Sequence, residues 1–177
     1  MTTWIALFRG INVGGKHLLP MKDLAATLEE LGCSNVKTYI QSGNAVFERS
    51  SFKTTQLAEK ISKTVLKKHG FEPRVIILAA KELKKAASAN PFPEAESEPK
   101  AVHVLFLAEK PRSPDLDALD RIKAPTESYA LVGKFFYLLA PDGIARSKMA
   151  ARVEKLLGVD ATGRNWRTVS KLLELST

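Results

Sequence analysis

The residues best suited to chemistry in this 177-residue chain stand together near its start. They form the run Arg9-Gly10-Ile11-Asn12-Val13-Gly14-Gly15-Lys16. Glycines expose the backbone, and cations with an amide can hold a negative group, so recognition of an anion such as phosphate is the expected chemistry. Glycines that serve only a backbone turn explain the run equally well. The run also fits G-x-x-x-x-G-K, but His17 stands where a P-loop needs Ser or Thr, so a nucleotide P-loop is not expected.

Three further polar runs could contribute to such a site. Gln41-Ser42-Gly43-Asn44 joins two predicted strands, and ordinary hairpin chemistry is the interpretation that we favour for it. In Arg146-Ser147-Lys148, two cations flank a serine that can begin a helix, which makes a second candidate anion site. Arg164-Asn165-Trp166 follows a predicted strand, and Trp166 is more typical of an anchor for the terminal helix than of a base-stacking platform.

These runs define the candidate ligand-binding residues. They are Arg9, Asn12, Gly14, Gly15, Lys16, Gln41, Ser42, Asn44, Arg146, Ser147, Lys148, Arg164, Asn165 and Trp166. No base–nucleophile pair can be assigned from the sequence, so catalytic residues stay unidentified. His17, His69 and His103 are far apart and have no cysteine partners, so neither a metal nor a cofactor is expected.

The elements that must position these residues follow one order in the first half. An apolar run over residues 3–9 predicts a buried strand, and apolar residues at helical spacing predict a helix that ends at Gly32. Val36, Thr38 and Ile40 alternate with polar residues, which predicts a half-buried strand. A further strand, a helix ending at Gly70 and a strand before residue 80 complete a β-α-β-β-α-β pattern.

The second half repeats this order after a linking helix and an acidic, proline-containing loop. Residues 102–107 predict a buried strand, Ser113 is expected to cap a helix, and Gly133 closes a hairpin. A helix that ends at Gly158, a short strand near residues 161–164 and a C-terminal helix follow. The prediction is an α+β protein with two ferredoxin-like (βαββαβ) subdomains in tandem, at residues 1–80 and 101–177, joined by a linker at 81–100.

The predicted topology groups the polar runs. In a ferredoxin-like unit, the end of the first strand and the hairpin between the second and third lie at the same edge of the sheet. Residues 9–16 and 41–44 should therefore be neighbours, and the same reasoning brings residues 146–148 close to 164–166. The sequence does not indicate whether the two groups share one pocket.

Composition limits the classes of partner. The net charge is +8, which attracts polyanions, although a solvated lysine-rich surface explains it equally well. A single cysteine and the lack of a signal-peptide pattern predict a cytoplasmic location. No apolar run approaches the roughly 18 residues of a transmembrane helix, so no membrane association is expected. The oligomeric state cannot be read from the sequence.

Five ordered motifs span nearly the whole chain: residues 9–16, Thr38-Tyr39-Ile40-Gln41-Ser42-Gly43-Asn44, Asn90-Pro91-Phe92-Pro93, Pro141-Asp142-Gly143-Ile144-Ala145-Arg146-Ser147-Lys148 and Ala161-Thr162-Gly163-Arg164-Asn165-Trp166. In these motifs the chain resembles the DUF1697 family of uncharacterised bacterial proteins. The resemblance implies a two-subdomain α+β fold with ferredoxin-like halves. It implies no activity and supplies no catalytic residues.

Three functions remain open from the sequence. The first is a protein that binds a phosphate-bearing ligand, RNA or a nucleotide, through the glycine-rich cationic loop. The second is an enzyme that acts on a small anionic substrate, with cations such as Arg9 and Arg164 neutralising its charge. The third is a structural or protein-interaction module, in which the motifs secure turns and the contact between subdomains.

Overall fold

The computed structural model describes residues 1–177 and has mixed α+β architecture with two four-stranded antiparallel sheets. Two compact units form: Met1–Lys84 with Lys171–Thr177, and Lys85–Ser170. This division differs from the predicted one at the C-terminal end, because residues 171–177 lie with the first unit. There Leu175 lines a small cavity together with Phe47. The apolar stripe of a terminal helix does not specify which sheet the helix covers, so the sequence could not place it.

The first unit is built on a sheet with the strand order β2-β3-β1-β4, in which all neighbours are antiparallel. Its strands and helices, with α3 extending across the boundary between the units, are β1 (Thr2–Arg9), α1 (Met21–Glu30), β2 (Ser34–Tyr39), β3 (Asn44–Arg49), α2 (Thr54–His69), β4 (Arg74–Ala79) and α3 (Ala80–Ser88). The central strand β1 therefore ends beside the turn that joins β2 to β3 and beside the start of β4.

One face of this sheet packs against α1 and α2. Alternation along β1 directs Ala6 and Phe8 to this face, where they join a core shared by strands, helices and loops. That core includes Leu24, Leu28, Ala45, Phe47, Leu57, Ile61 and Val65. The helix α2 ends at Gly70, which has φ +79° and donates its N–H to Leu66 O at 2.9 Å. The stop at Gly70 is the one predicted from the sequence.

The second unit repeats this arrangement with the strand order β6-β7-β5-β8. Its elements are α4 (Glu94–Ser97), β5 (Val102–Leu107), α5 (Leu116–Ile122), β6 (Ser128–Val132), β7 (Phe135–Leu139), α6 (Lys148–Leu157), β8 (Ala161–Asn165) and the start of α7 (Trp166–Leu175). One sheet face and the two helices α5 and α6 share a core that contains Leu105, Leu119, Phe136, Leu138, Met149, Val153 and Leu157. None of the seven helices is long and apolar enough to span a bilayer.

Two local predictions in this half were wrong. Ser113 does not cap α5: the side chain of Asp115 accepts the N–H of Ala118 at 2.9 Å, and the helix begins at Leu116. Asp115 N–H donates to Leu156 O at 2.8 Å, so a contact with α6 fixes the start of α5. The acidic stretch before β5, expected to be a loop, contains the short helix α4.

Tyr137 on β7 makes a buried hydrogen bond whose contribution to stability can be measured. Its side chain is fully buried, and its hydroxyl donates to Ala86 O at 2.6 Å. We expect Tyr137→Phe to lower the free energy of unfolding by about 1 to 2 kcal/mol, because Ala86 O loses its buried donor. Urea denaturation of both proteins measures this difference. A change below a few tenths of a kcal/mol would contradict this account of the bond.

The contribution of the Tyr137 hydroxyl to stability should also depend on pH. Burial raises the pKa of Tyr137 from 10 to about 12. Because the folded pKa exceeds the unfolded one, the protonated hydroxyl stabilises the fold fully below pH 10. That stabilisation is lost as the pH rises through 10 towards 12. Tyr137→Phe should therefore lose less stability than the wild type over this interval, which denaturation at several pH values measures.

Candidate functional site

The first two polar runs lie side by side at one edge of the first sheet, as the predicted topology requires. Leu7 stands opposite Asn44 across β1 and β3, and the N–H of Phe8 donates to Gly43 O at 2.9 Å. The end of β1 is therefore held directly against the turn at residues 40–43. The loop that follows β1 must leave the sheet beside this turn.

Asn12 fastens the two segments together. Its Nδ2 donates to Leu19 O and to Gln41 O, each at 2.8 Å, and its Oδ1 accepts the N–H of Leu19 at 2.8 Å. We call this set of three hydrogen bonds the Asn12 clamp. It draws both ends of the loop after β1 together and ties them to the hairpin turn. Asn12 therefore organises the site through its side chain, and that side chain is already occupied by backbone groups.

The paired glycines form the tip of a tight hairpin. Lys16 N–H donates to Val13 O at 3.1 Å, and Asn12 N–H donates to His17 O at 3.0 Å. Gly14 and Gly15 both have positive φ, +58° and +72°, as the two central residues of a type I′ turn require. Turn geometry is thus sufficient to explain the two glycines. The turn places Lys16 at the exposed tip of the hairpin.

The base of this hairpin is anchored by His17. Its Nδ1 lies 2.9 Å from Gly10 O, and its ring stacks on Phe71 with the centroids 4.8 Å apart. The loop is therefore fixed at the clamp and at this stacking contact, and we infer that it holds a defined shape.

The loop after β1 forms one wall of the site, and the turn before β3 forms the other. Asn44 is fully buried, and its Nδ2 donates to Tyr39 O at 3.0 Å and to Ser42 Oγ at 3.3 Å. Gln41 and Ser42 are exposed at the turn. Hairpin chemistry, the favoured interpretation, accounts for Asn44, whereas Gln41 and Ser42 are placed where a ligand could reach them.

Backbone strain is concentrated in these two loops. Of the four non-glycine residues with positive φ, three lie here: Asn12 (+53°), His17 (+52°) and Ile40 (+49°). A β-branched residue is an outlier in this region of φ. Ile40 was predicted on the buried face of a strand, and this was wrong, because β2 ends at Tyr39 and Ile40 is 48% exposed. Strained positions of this kind cluster at functional sites.

The second group of predicted residues has mostly structural roles. Ser147 is buried and caps α6, with its Oγ accepting the N–H of Ala150 at 3.0 Å. Asn165 Oδ1 accepts the N–H of Thr168 at 3.0 Å and so begins α7. Trp166 is half-buried against a small core that contains Ala101, in keeping with an anchoring role. Arg146 and Lys148 are exposed on either side of Ser147.

Arg164 lies within β8 and is buried. Its Nη1 donates to Gly163 O at 2.8 Å, and burial lowers its pKa to about 10, which leaves it charged at neutral pH. The segment that precedes β5 hydrogen-bonds to both neighbouring strand ends: Ala140 N–H donates to Ala101 O at 2.8 Å, and Trp166 N–H donates to Pro99 O at 3.0 Å. This segment lies between residues that follow β7 and residues that follow β8.

A groove that the sequence did not predict opens at this place in the second unit. Its volume is about 660 Å³, and it is lined by residues 97–101, Ala140, Pro141, Gly143 and Arg167. None of the candidate ligand-binding residues lines this groove, and Arg167 rather than Arg164 reaches it. No sequence pattern predicts this groove, because backbone and small side chains form most of its wall.

The sequence also missed two features of the first edge. Arg74 stands directly opposite Arg9 across β1 and β4, so their side chains share one face of the sheet. The ferredoxin-like pattern could have indicated this pairing, because in it the end of the first strand lies beside the start of the fourth. Exposed Val13 and Leu18 flank the clamp, and single exposed apolar residues in a loop carry no periodic signal.

The arrangement is suited to binding a ligand at the first edge. Exposed donors and cations, Arg9, Lys16 and Gln41, surround a backbone fixed by the clamp. Ser42 Oγ accepts from the amide of Asn44, which cannot act as a general base. No group of three or more His, Cys, Asp and Glu side chains is placed to hold a metal ion.

Comparison with known proteins identifies a family and a related fold. A solved structure described as conserved bacterial protein SP0830 from Streptococcus pneumoniae is similar over 99% of both chains, with a TM-score of 0.72 and 24% sequence identity. This likeness concerns the fold alone. A search of curated proteins finds no match to this chain. The model of the family described as protein of unknown function (DUF1697) matches residues 1–137, and the chain therefore belongs to the DUF1697 family.

Proposed function

We propose that this protein binds a phosphate-bearing ligand, RNA or a nucleotide, at the edge of the first sheet. The observation that carries the proposal is the Asn12 clamp, which locks two strained loops together and leaves Lys16, Gln41 and Ser42 exposed around it. A rigid backbone that presents cations and amide donors favours an anion without the cost of ordering a flexible loop.

The site is assigned to the first unit alone. Ser147 and Asn165 already accept hydrogen bonds at helix N-termini, and Arg164 is buried in its strand. These roles leave Arg146 and Lys148 as exposed cations of the second group. The ligand-contacting set that we propose is therefore Arg9, Lys16, Gln41 and Ser42, with Asn12, Gly14, Gly15 and Asn44 holding the backbone in place.

We infer further that each unit is a ferredoxin-like subdomain. The strand orders β2-β3-β1-β4 and β6-β7-β5-β8, read with the intervening helices, support this inference. Sheets of this kind can carry RNA, and the net charge of +8 favours a polyanionic partner. The aromatic RNP1 pattern is missing from the sequence, and the RNA contact that we propose is made through the loops at the sheet edge.

A salt titration tests the proposal. The probe is a single-stranded RNA oligonucleotide of about ten nucleotides, measured by filter binding. We expect the logarithm of the binding constant to fall linearly with the logarithm of salt concentration. Arg9→Gln with Lys16→Gln should weaken binding and reduce the slope by about 0.7 for each phosphate contact removed.

The matched control removes the same charge elsewhere in the first unit. Lys60 and Lys63 are exposed on α2, and Lys60→Gln with Lys63→Gln should leave the slope unchanged. Equal effects of both double variants would show that net charge, rather than this edge, attracts the RNA. Lack of binding of RNA and of nucleoside triphosphate at low salt would contradict the proposed function itself.

A further inference from the structure

Three large aliphatic side chains surround the Asn12 clamp and are exposed. Val13 is 67%, Leu18 62% and Ile40 48% exposed. We call these three side chains the aliphatic rim. Elsewhere, exposed large hydrophobic residues include only Met1, Leu66, Leu116 and Val132. A concentration of such residues on two loops marks an interaction surface more than scattered single residues do.

The clamp itself brings the rim together. Val13 follows Asn12 in sequence, Leu18 precedes Leu19, and Ile40 precedes Gln41. The carbonyl oxygens of Leu19 and Gln41 each lie 2.8 Å from the same Asn12 nitrogen, so they can be no more than twice that distance apart. Each rim residue is therefore one residue away from a group in the clamp. The three rim side chains therefore start from neighbouring backbone positions on two separate loops.

The conformation of Ile40 is independent support for a role in binding. A β-branched side chain disfavours positive φ, yet Ile40 has φ +49° and is about half exposed. Asn or Gly would fit this turn position with less strain. Neither turn geometry nor core packing explains an isoleucine here, whereas contact with a ligand does.

Charge lies next to apolar surface within the same hairpin. Val13 and Lys16 form a β-bridge across the Gly14-Gly15 turn, so an aliphatic and a cationic side chain start from directly opposed positions. A nucleic-acid strand has the complementary pattern, with a phosphate beside the flat apolar face of each base. In a duplex these faces are covered, so an unpaired strand offers both and a duplex does not. Inorganic phosphate would leave the rim exposed to water.

We propose that the aliphatic rim contacts the bases of single-stranded RNA whose phosphates lie on Lys16 and Arg9. This inference rests on the proposed function and names the ligand within it. Aliphatic side chains cover base faces without aromatic stacking, so each contributes less to affinity than an aromatic platform does. The rim therefore favours RNA without strong preference for sequence.

The test compares two probes of equal charge. One is an RNA oligonucleotide of about ten nucleotides, and the other is an abasic ribose-phosphate strand of the same length. The variant Val13→Thr, Leu18→Gln, Ile40→Asn should lower RNA affinity by about tenfold to thirtyfold, because three apolar contacts are lost. Its affinity for the abasic strand and its salt slope should stay unchanged, since no charge is removed.

Matched controls separate this effect from hydrophobicity and from misfolding. The variant Leu66→Gln, Leu116→Gln, Val132→Thr alters three exposed aliphatic residues elsewhere and should leave RNA binding unchanged. Ile40→Asn alone relieves the strain, so it should raise the melting temperature while lowering RNA affinity by about threefold. A loss of binding in a more stable protein cannot result from unfolding.

Each outcome leads to a separate conclusion. Tight binding of wild type to both probes with equal affinity would overturn the inference about bases and leave the proposed phosphate site standing. No binding to either probe would overturn the inference, and lack of binding of a nucleoside triphosphate as well would overturn the proposed function. If the rim variant changes the oligomeric state measured by light scattering and leaves RNA affinity unchanged, the rim is a contact between copies and the inference is wrong.

Discussion

Gly43→Ala is expected to lower the free energy of unfolding by about 3 kcal/mol or more. A Cβ at this position would lie 2.6 Å from Phe8 Cβ and 2.5 Å from Ile11 Cδ1. Ile11 can rotate away, but Phe8 Cβ is fixed to the backbone of β1. The positive φ of +84° adds the conformational penalty of a left-handed L-residue.

Thermal unfolding measures this effect. For a protein of this size, about 3 kcal/mol corresponds to a fall in melting temperature of roughly 6 to 12 °C. The control is Gly133→Ala, where φ is +60° and nothing lies within 4 Å of an added Cβ. It carries the backbone penalty alone, about 1 to 2 kcal/mol. Equal shifts in the two variants would contradict a close contact between the hairpin turn and β1.

Asn12→Ala is expected to cost about 3 kcal/mol and to weaken binding at the sheet edge. The substitution removes three hydrogen bonds of 2.8 Å, each worth about 0.5 to 1.5 kcal/mol net. Alanine also tolerates a φ of +53° less well than asparagine does. Because the clamp holds the loop after β1 against Gln41, its loss should separate the two walls of the proposed site.

Asn35→Ala is the matched control for the clamp. Asn35 also has positive φ, +50°, and it donates one hydrogen bond of 2.9 Å to Glu48 at an exposed position. Asn35→Ala carries the same backbone penalty as Asn12→Ala but leaves the clamp in place. It should therefore lower the free energy of unfolding by about 1 kcal/mol and leave RNA binding intact. Urea denaturation and filter binding of both variants measure the difference. Comparable losses of stability and binding would refute the role assigned to the clamp.

Segments with a strong local pattern were predictable. The continuous apolar run at residues 102–107 became β5 with the same bounds, and Gly70 and Gly158 end α2 and α6 as left-handed caps. Such signals depend only on neighbouring residues. The start of α5 shows the limit, because Ser113 and Asp115 are both good caps and the contact between Asp115 and α6 decides which one is used.

The candidate site was predictable in position but only partly in role. Strand order placed Asn12 beside Gln41, and the structure has that contact at 2.8 Å. Whether an amide faces a ligand or the backbone depends on its rotamer, which no pattern encodes. Ile40 fitted an alternating strand, and the strained turn that exposes it depends on the clamp and on the fit of Gly43 against Phe8. The spacing of apolar residues along the sequence does not report such three-dimensional contacts.

The discontinuous first unit has a consequence for how the protein is made. Residues 171–177 complete a unit whose other part ends at Lys84. At a synthesis rate of about 5 to 20 residues per second, the ribosome needs roughly 5 to 20 s to add the missing piece. During that interval the second unit is emerging while the surface around Phe47 still lacks Leu175. The first unit is therefore completed only after its last segment has been synthesised. A fragment ending at Lys84 would leave this part of the sheet uncovered.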